Sequence, residues 1–200
     1  MTTLSIPAKV LYAASMFTGN DKHQPHLDAV HIEMEHGTVT IVSTDGHRLF
    51  KYELGITEST ENYDGKPKTY NLLLTGYLIK ALKAKNSEYI KIFLDDLSFQ
   101  VIKKDGNLEY ASKFEQSELL YPNWKRVIPE VNKKFTGSLV LGVNTDYIKS
   151  FGDAVKIMLG VKTPQIKIIP TSENGLLLIA AAHDEELPFL GVLMPVRIKK

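Results

Sequence analysis

Laying residues 32–50 over residues 92–110, an offset of 60, brings a set of apolar positions into register. Ile32 meets Ile92, Met34 meets Leu94, Val39 meets Phe99, Ile41 meets Val101 and Phe50 meets Tyr110, with Asp45-Gly46 over Asp105-Gly106. Every apolar match falls on a period-2 alternation broken by an Asp-Gly turn signal, so each stretch reads as strand–strand–turn–strand. A second offset, 69, lays Leu72-Leu73-Leu74-Thr75 over Leu141-Gly142-Val143-Asn144, and Ile79-Lys80 over Ile148-Lys149. There a strand ends at a residue able to cap a helix, and an amphipathic helix begins. The repeated unit is therefore strand–helix–strand–strand–strand, used three times, over about 3–56, 68–115 and 136–198. Its helices are expected at about 7–18, opened by Pro7, at 76–84 and at 145–158. One such unit cannot bury its sheet and helix alone, so repetition implies packed neighbours. The fold class is α+β, with helices on one face of antiparallel sheets.

Two segments separate the units. Residues 57–67 are polar, contain Gly65 and Pro67, and read as a loop. Residues 116–135 hold Pro122, Pro129 and Lys133-Lys134. Proline bars regular pairing there, and Tyr121 and Trp124 read as exposed anchors at a boundary. This predicts one domain of two units over 1–118, a linker over 119–135 and a half-domain over 136–200.

With 200 residues, 44% of them apolar and 24% charged, the chain has the makings of an ordinary globular core. Cysteine is absent, which excludes disulfides and thiolate metal sites and fits a reducing cytoplasm. No apolar run approaches the ~18 residues of a membrane span, and Val10–Phe17 reads as a helix rather than a leader core. A net charge of +1 conceals an asymmetry: residues 1–65 carry 4 Lys/Arg against 9 Asp/Glu, whereas 66–134 carry 13 against 8.

The apparent chemistry has plainer explanations. His31, Glu33, Glu35 and His36 suggest a metal site, but alternation turns Val30, Ile32 and Met34 inward and leaves His31, Glu33 and Glu35 toward solvent. Thr44, Asp45 and His47 resemble hydrolase parts without a nucleophile motif, and an Asp45-Gly46 turn explains two of the three. No phosphate-cradling glycine pattern is present. The sequence thus yields no catalytic residue, no metal ligand and no cofactor. Basic residues gather on the helices. Lys9 lies on the first, Lys80, Lys83 and Lys85 lie on or just after the second, and Lys149 and Lys156 share a face of the third.

Three distant stretches carry the strongest signal: Thr44-Asp45-Gly46-His47-Arg48-Leu49, Tyr121 to Pro129, and Val192-Leu193-Met194-Pro195-Val196-Arg197. Each mixes apolar residues with an arginine and a backbone-restricting Gly or Pro, which suits a groove for a partner's side chains. In that order they resemble the bacterial DNA polymerase III beta subunit, the sliding clamp that tethers polymerases to DNA. The resemblance runs from about Leu4 to Ile198.

The resemblance implies a DNA clamp fold and a non-enzymatic processivity factor. It would hold duplex DNA without sequence preference, through Lys9, Lys80, Lys83, Lys85, Lys149 and Lys156 on inward-facing helices. It further implies a pocket for clamp-binding peptides of a DNA polymerase and other partners. Leu27, Thr44, Gly46, His47, Arg48 and Leu49 would line it from the first unit, and Pro122, Arg126 and Val127 from the linker. The third unit would add Asn144, Tyr147, Val192, Met194, Pro195, Val196 and Arg197. A clamp loader and self-association into a dimer or tetramer are also implied, with no membrane. The family's chain holds six units in three domains, whereas this chain holds three, and Lys199-Lys200 extend past the family's usual end. Two other readings stand beside this one: a peptide-binding replisome regulator that does not encircle DNA, and, from a different class, a small hydrolase using His47.

Overall fold

The structure is a computed structural model that describes residues 2–84, 87–117, 119–129, 141–171, 175–182, 184 and 186–196. The first unit runs β1 (Thr3–Pro7), α1 (Ala8–Ser15), β2 (Ala29–Glu35), β3 (Thr38–Thr44) and β4 (Arg48–Gly55). A helical turn, α2 (Ile56–Ser59), and the two-residue β5 (Thr60–Glu61) lead on from it. The second unit is β6 (Lys68–Leu73), α3 (Gly76–Lys83), β7 (Ser87–Phe93), β8 (Ser98–Lys103) and β9 (Leu108–Lys113), trailed by β10 (Glu115–Gln116). The third contributes α4 (Thr145–Leu159), β11 (Ile166–Pro170), β12 (Leu177–Ala181) and β13 (Phe189–Leu193). The strand expected ahead of α4 falls largely on residues 130–140, outside the described residues. Gly142 makes an antiparallel bridge to Val196.

Local chemistry accounts for the helix starts. Thr75 caps α3 by accepting from the Leu78 N–H at 3.3 Å, and Asn144 caps α4 by accepting from the Asp146 N–H at 2.9 Å. Pro7 closes β1 and precedes α1, which ends at Ser15, short of the 18 expected. No described helix is long and apolar enough to cross a membrane.

The strands form two antiparallel sheets, ordered β5-β1-β7-β8-β9 and β10-β6-β2-β3-β4-β13-β12-β11. Units one and two exchange their first strands: β1 pairs with β7, and β6 pairs with β2. Unit three joins unit one through β4 and β13, in the register Leu49↔Val192, Phe50↔Gly191 and Tyr52↔Phe189. The alternation read from the repeat holds in space. Ile32, Met34, Val39, Ile41, Phe50, Ile92, Leu94, Phe99 and Val101 are all buried in one core beneath the helices.

Where unit three meets unit one, that core is aromatic. The Phe17 ring lies 5.4 Å from Phe50 and 4.9 Å from Phe151, and Phe50 lies 5.2 Å from Phe189, with tilted planes. Gly191 is what lets α4 sit this close to β13, because a Cβ there would lie 2.5 Å from the Phe151 ring. Replacing Gly191 by Ala is expected to destabilise the fold by about 1–3 kcal/mol through overpacking, read as a lower denaturation midpoint. An unchanged midpoint would show that Phe151 is free to move aside.

Candidate functional site: a groove between units one and three

The turn between β3 and β4 is built by its own side chains. Thr44 Oγ1 donates to the Arg48 carbonyl at 2.7 Å and accepts from the Gly46 N–H at 3.1 Å. Asp45 Oδ1 accepts from the N–H groups of His47 and Arg48 at 3.0 and 3.1 Å. Gly46 takes φ +87°, a left-handed conformation that favours glycine. Thr44 and Asp45 are thus occupied in shaping a turn. The C-terminal strand runs alongside: Leu193 pairs with Arg48, and the Met194 N–H donates to the His47 carbonyl at 2.9 Å. Ladder pairing therefore brings the first and third sequence segments together.

The second segment crosses the face of this sheet opposite the helices. Tyr121 stacks on His31 at 4.7 Å between ring centroids, and Lys125 Nζ holds Glu33 Oε1 at 2.6 Å together with Glu35. Trp124 sits in a 3₁₀ turn over Trp124–Val127, only 8% exposed, in a cluster with Val42, Leu49, Leu178 and Val192. Two expectations are corrected here. Trp124 is buried rather than an exposed anchor, and His31 does not face solvent, because residues 119–129 cover that side of the sheet. His31 Nδ1 lies 2.7 Å from Asn71 Oδ1, and burial pulls its pKa below the usual 6.5 despite that hydrogen bond.

A groove of about 470 Å³ opens where the three segments meet. Leu27, Leu49, Val127, Val192 and Met194 give it an apolar lining, and of the other expected residues Thr44, Gly46, His47, Arg48 and Pro122 also line it. Val127 and Met194 are 45% and 47% exposed, so apolar surface stands open to solvent there. Leu27 reaches the groove from a 3₁₀ turn over Pro25–Leu27. Gln24, His26, Asn123, Trp124 and Leu176 also line it and were not expected to. Asn123 and Trp124 belong to the second sequence segment and Gln24 and His26 lie near Leu27 in the chain, whereas Leu176 sits in the loop just ahead of β12.

Arg126, Asn144, Tyr147, Pro195 and Val196 do not line the groove, and Arg197 lies outside the described residues. Asn144 caps α4, and Tyr147 borders the groove by stacking on His47 at 6.0 Å. Arg48 lines the groove, yet its guanidinium is engaged by the protein itself. Nε donates to Asp45 Oδ2 at 2.9 Å, Nη2 to the Met16 carbonyl at 3.0 Å and Nη1 to Ser150 Oγ. The same group lies 4.9 Å from the Phe17 ring and 4.8 Å from Tyr147. It ties the β4 turn to the end of α1 and to α4.

On the opposite face, α1 lies between α3 and α4. Lys9, Lys83 and Lys156, joined by Lys104, line a broad groove of about 880 Å³ there, together with Glu88 and Asp153. Lys9 donates to the Met158 carbonyl, Lys149 pairs with Asp153, and Lys80 sits 5.9 Å over Tyr77. Lys85 lies outside the described residues. No set of three or more metal-ligating side chains clusters among the described residues.

Helices lining one face of antiparallel sheets, with an apolar groove on the other face at a junction of units, are the arrangement of the sliding-clamp fold. The comparisons agree on that fold. No protein-family model matches the chain. It is 25% identical over 167 residues to the beta sliding clamp of Treponema pallidum (strain Nichols), covering 83% of this chain and 41% of that protein. A DNA polymerase sliding clamp from Pseudomonas aeruginosa, solved with a ligand, superposes with a TM-score of 0.70 at 17% identity, over 98% of this chain and 66% of that one. The beta subunit of DNA polymerase III from Thermotoga maritima gives 0.68 at 14% identity, over 100% and 66%. The chain therefore has the sliding-clamp fold and spans about two-fifths of the length of its curated relative.

The His31 latch carries a pH dependence of defined sign. The folded state holds His31 below its unfolded pKa, so the unfolded chain binds the proton more readily. Stability from this residue is complete above about pH 6.5 and declines as pH falls below it. Wild type should lose more stability between about pH 7 and about pH 5 than a His31→Gln variant. Parallel profiles would mean that the neutral ring holds no part of the latch.

Proposed function

We propose that this chain acts as a sliding-clamp-like processivity factor, without catalytic activity of its own. It holds duplex DNA against the face carrying α1, α3 and α4, and takes clamp-binding peptides of a polymerase or repair partner in the groove on the other face. One observation carries the reading: residues from three distant segments converge on one apolar groove within a clamp fold. Leu49, Val127, Val192 and Met194 offer anchorage for apolar side chains, with thioether flexibility at Met194 to fit several sequences. Lys9, Lys83 and Lys156 on the helical face supply positive potential for phosphates, with no groups arranged to read bases. Units one and two form one domain and unit three a half-domain, so working assemblies are homo-oligomers of two or four chains, set on DNA by a loader. The engagement of Lys9 by the Met158 carbonyl and of Lys149 by Asp153 favours a second reading, a peptide-binding regulator that does not encircle DNA.

A calorimetric titration with a short peptide of apolar and acidic residues tests the groove. Affinity in the micromolar range, about −8 kcal/mol, is expected for a shallow site. Met194→Ala should weaken it by about 1–3 kcal/mol while leaving retention on nicked circular DNA unchanged. Reversing Lys9, Lys83 and Lys156 to Glu should do the opposite, abolishing retention and sparing the peptide. Equal peptide affinities for wild type and Met194→Ala would place the ligand elsewhere. Wild-type protein retained no better on circular than on linear DNA would favour the regulator.

A further inference from the structure

We propose that the helical face also takes single-stranded nucleic acid, with unpaired bases stacked on Tyr77 and Tyr12 and phosphates held by the lysines beside them. The inference deepens the clamp-like reading and rests on it, since it names a second form of nucleic acid for the same face. A duplex held by its phosphates asks for positive charge alone, because its bases are already stacked on one another. This face offers more than charge. Tyr77, in the first turn of α3, is 75% exposed, whereas every other described aromatic residue is buried or half-buried. Lys80, one turn later, lies 5.9 Å over the Tyr77 ring. Lys83, a further turn on, lies 5.9 Å over Tyr12 of α1. A nucleotide carries a flat π-face with a phosphate close by, and each Tyr–Lys pair presents a ring and an ammonium to match.

The placement of these pairs fits a strand. At 100° per residue, the buried Leu78, Ala81 and Leu82 set the inward side of α3, which turns Lys80 and Lys83 outward and leaves Tyr77 on a flank. Tyr77 and Lys83 are six residues apart, about 9 Å along the helix axis. That line runs into the groove of about 880 Å³, where Tyr12, Met16 and Ile157, all half-buried, stand among the four lysines. A duplex lying across the rims would leave those apolar walls facing water, whereas an unpaired base would cover them. Asp153, one of the two carboxylates lining the groove, is held by Lys149, so the charge balance favours a polyanion. An acidic peptide meets the same charge but brings no succession of flat rings. Stacking of this kind accepts any base, in keeping with a face that reads no sequence.

Fluorescence anisotropy with a labelled oligothymidylate, an abasic strand of the same length and a blunt duplex tests the proposal. Wild type should bind the oligothymidylate more tightly than the abasic strand, which has the same phosphates and no bases. Tyr77→Ala should weaken the oligothymidylate by roughly 5- to 100-fold, the range for loss of one base–aromatic stack. Tyr77→Phe, which keeps the ring, should restore binding, and affinity for the abasic strand and the duplex should be the same in all three proteins. Tyr12→Leu should act as Tyr77→Ala does. Equal wild-type affinity for the two strands, or oligothymidylate binding untouched by Tyr77→Ala, would overturn the proposal. So would an oligoglutamate that binds as tightly as the strand. If stacking fails while nicked circular DNA is still retained, the clamp-like reading stands without it. Strand binding that depends on Tyr77, with no retention of circular DNA, would instead keep the stacking and remove encirclement.

Discussion

The antiparallel ladder between β4 and β13 is the contact on which the rest of the molecule depends. Its five residue pairs join unit three to unit one in a single continuous sheet. Because the strands are pleated, one register sets two surfaces at once. Leu49 and Val192 turn outward to the peptide-sized groove, while Phe50 and Gly191 turn inward to the aromatic core under α4. A slip of one residue would exchange these sets, exposing Phe50 and burying the groove lining against the helices. Arg48 adds a cross-brace at the end of the same ladder, with three polar partners on three elements.

On the proposed reading, this arrangement keeps two tasks apart. Groove and lysines lie on opposite sides of the sheet layer, so a peptide can come and go without displacing a charged polymer from the helices. The electrostatics suit that division. The helical groove carries four lysines against two carboxylates, an excess that attracts phosphate without fixing it in place. On the outer face, Glu33 and Glu35 are spent on Lys125, which fastens residues 119–129 down as one wall of the apolar groove.

Much of the architecture was legible because the repeat fixes strand parity, and parity fixes which side chains are buried. The strands of all three units that lie within the described residues, and the caps Thr75 and Asn144, followed from local pattern. The exchange of β1 and β6 between units did not, since first-strand swapping leaves no mark on periodicity. Nor did the burial of His31 and Trp124. An outward-facing strand residue reads as solvated unless something covers it, and the covering segment has no regular pattern to announce where it lies. Ten of the expected groove residues line it, and ladder pairing dictates the positions of Thr44, Arg48, Leu49 and Val192 among them. Leu176 and Gln24 were missed because loops near a groove are set by tertiary packing alone. Arg48 was placed correctly, but its engagement by Ser150 and Met16 is a long-range contact invisible in sequence.

The chain's single tryptophan, Trp124, lines the groove, so its fluorescence reports directly on occupancy. Titrating a clamp-binding peptide into the protein should produce a saturable change in Trp124 emission, at the same micromolar midpoint as the heat of binding. Peptide binding seen by calorimetry with no change in Trp124 emission would contradict the account, since the ligand would then lie away from the junction of units one and three.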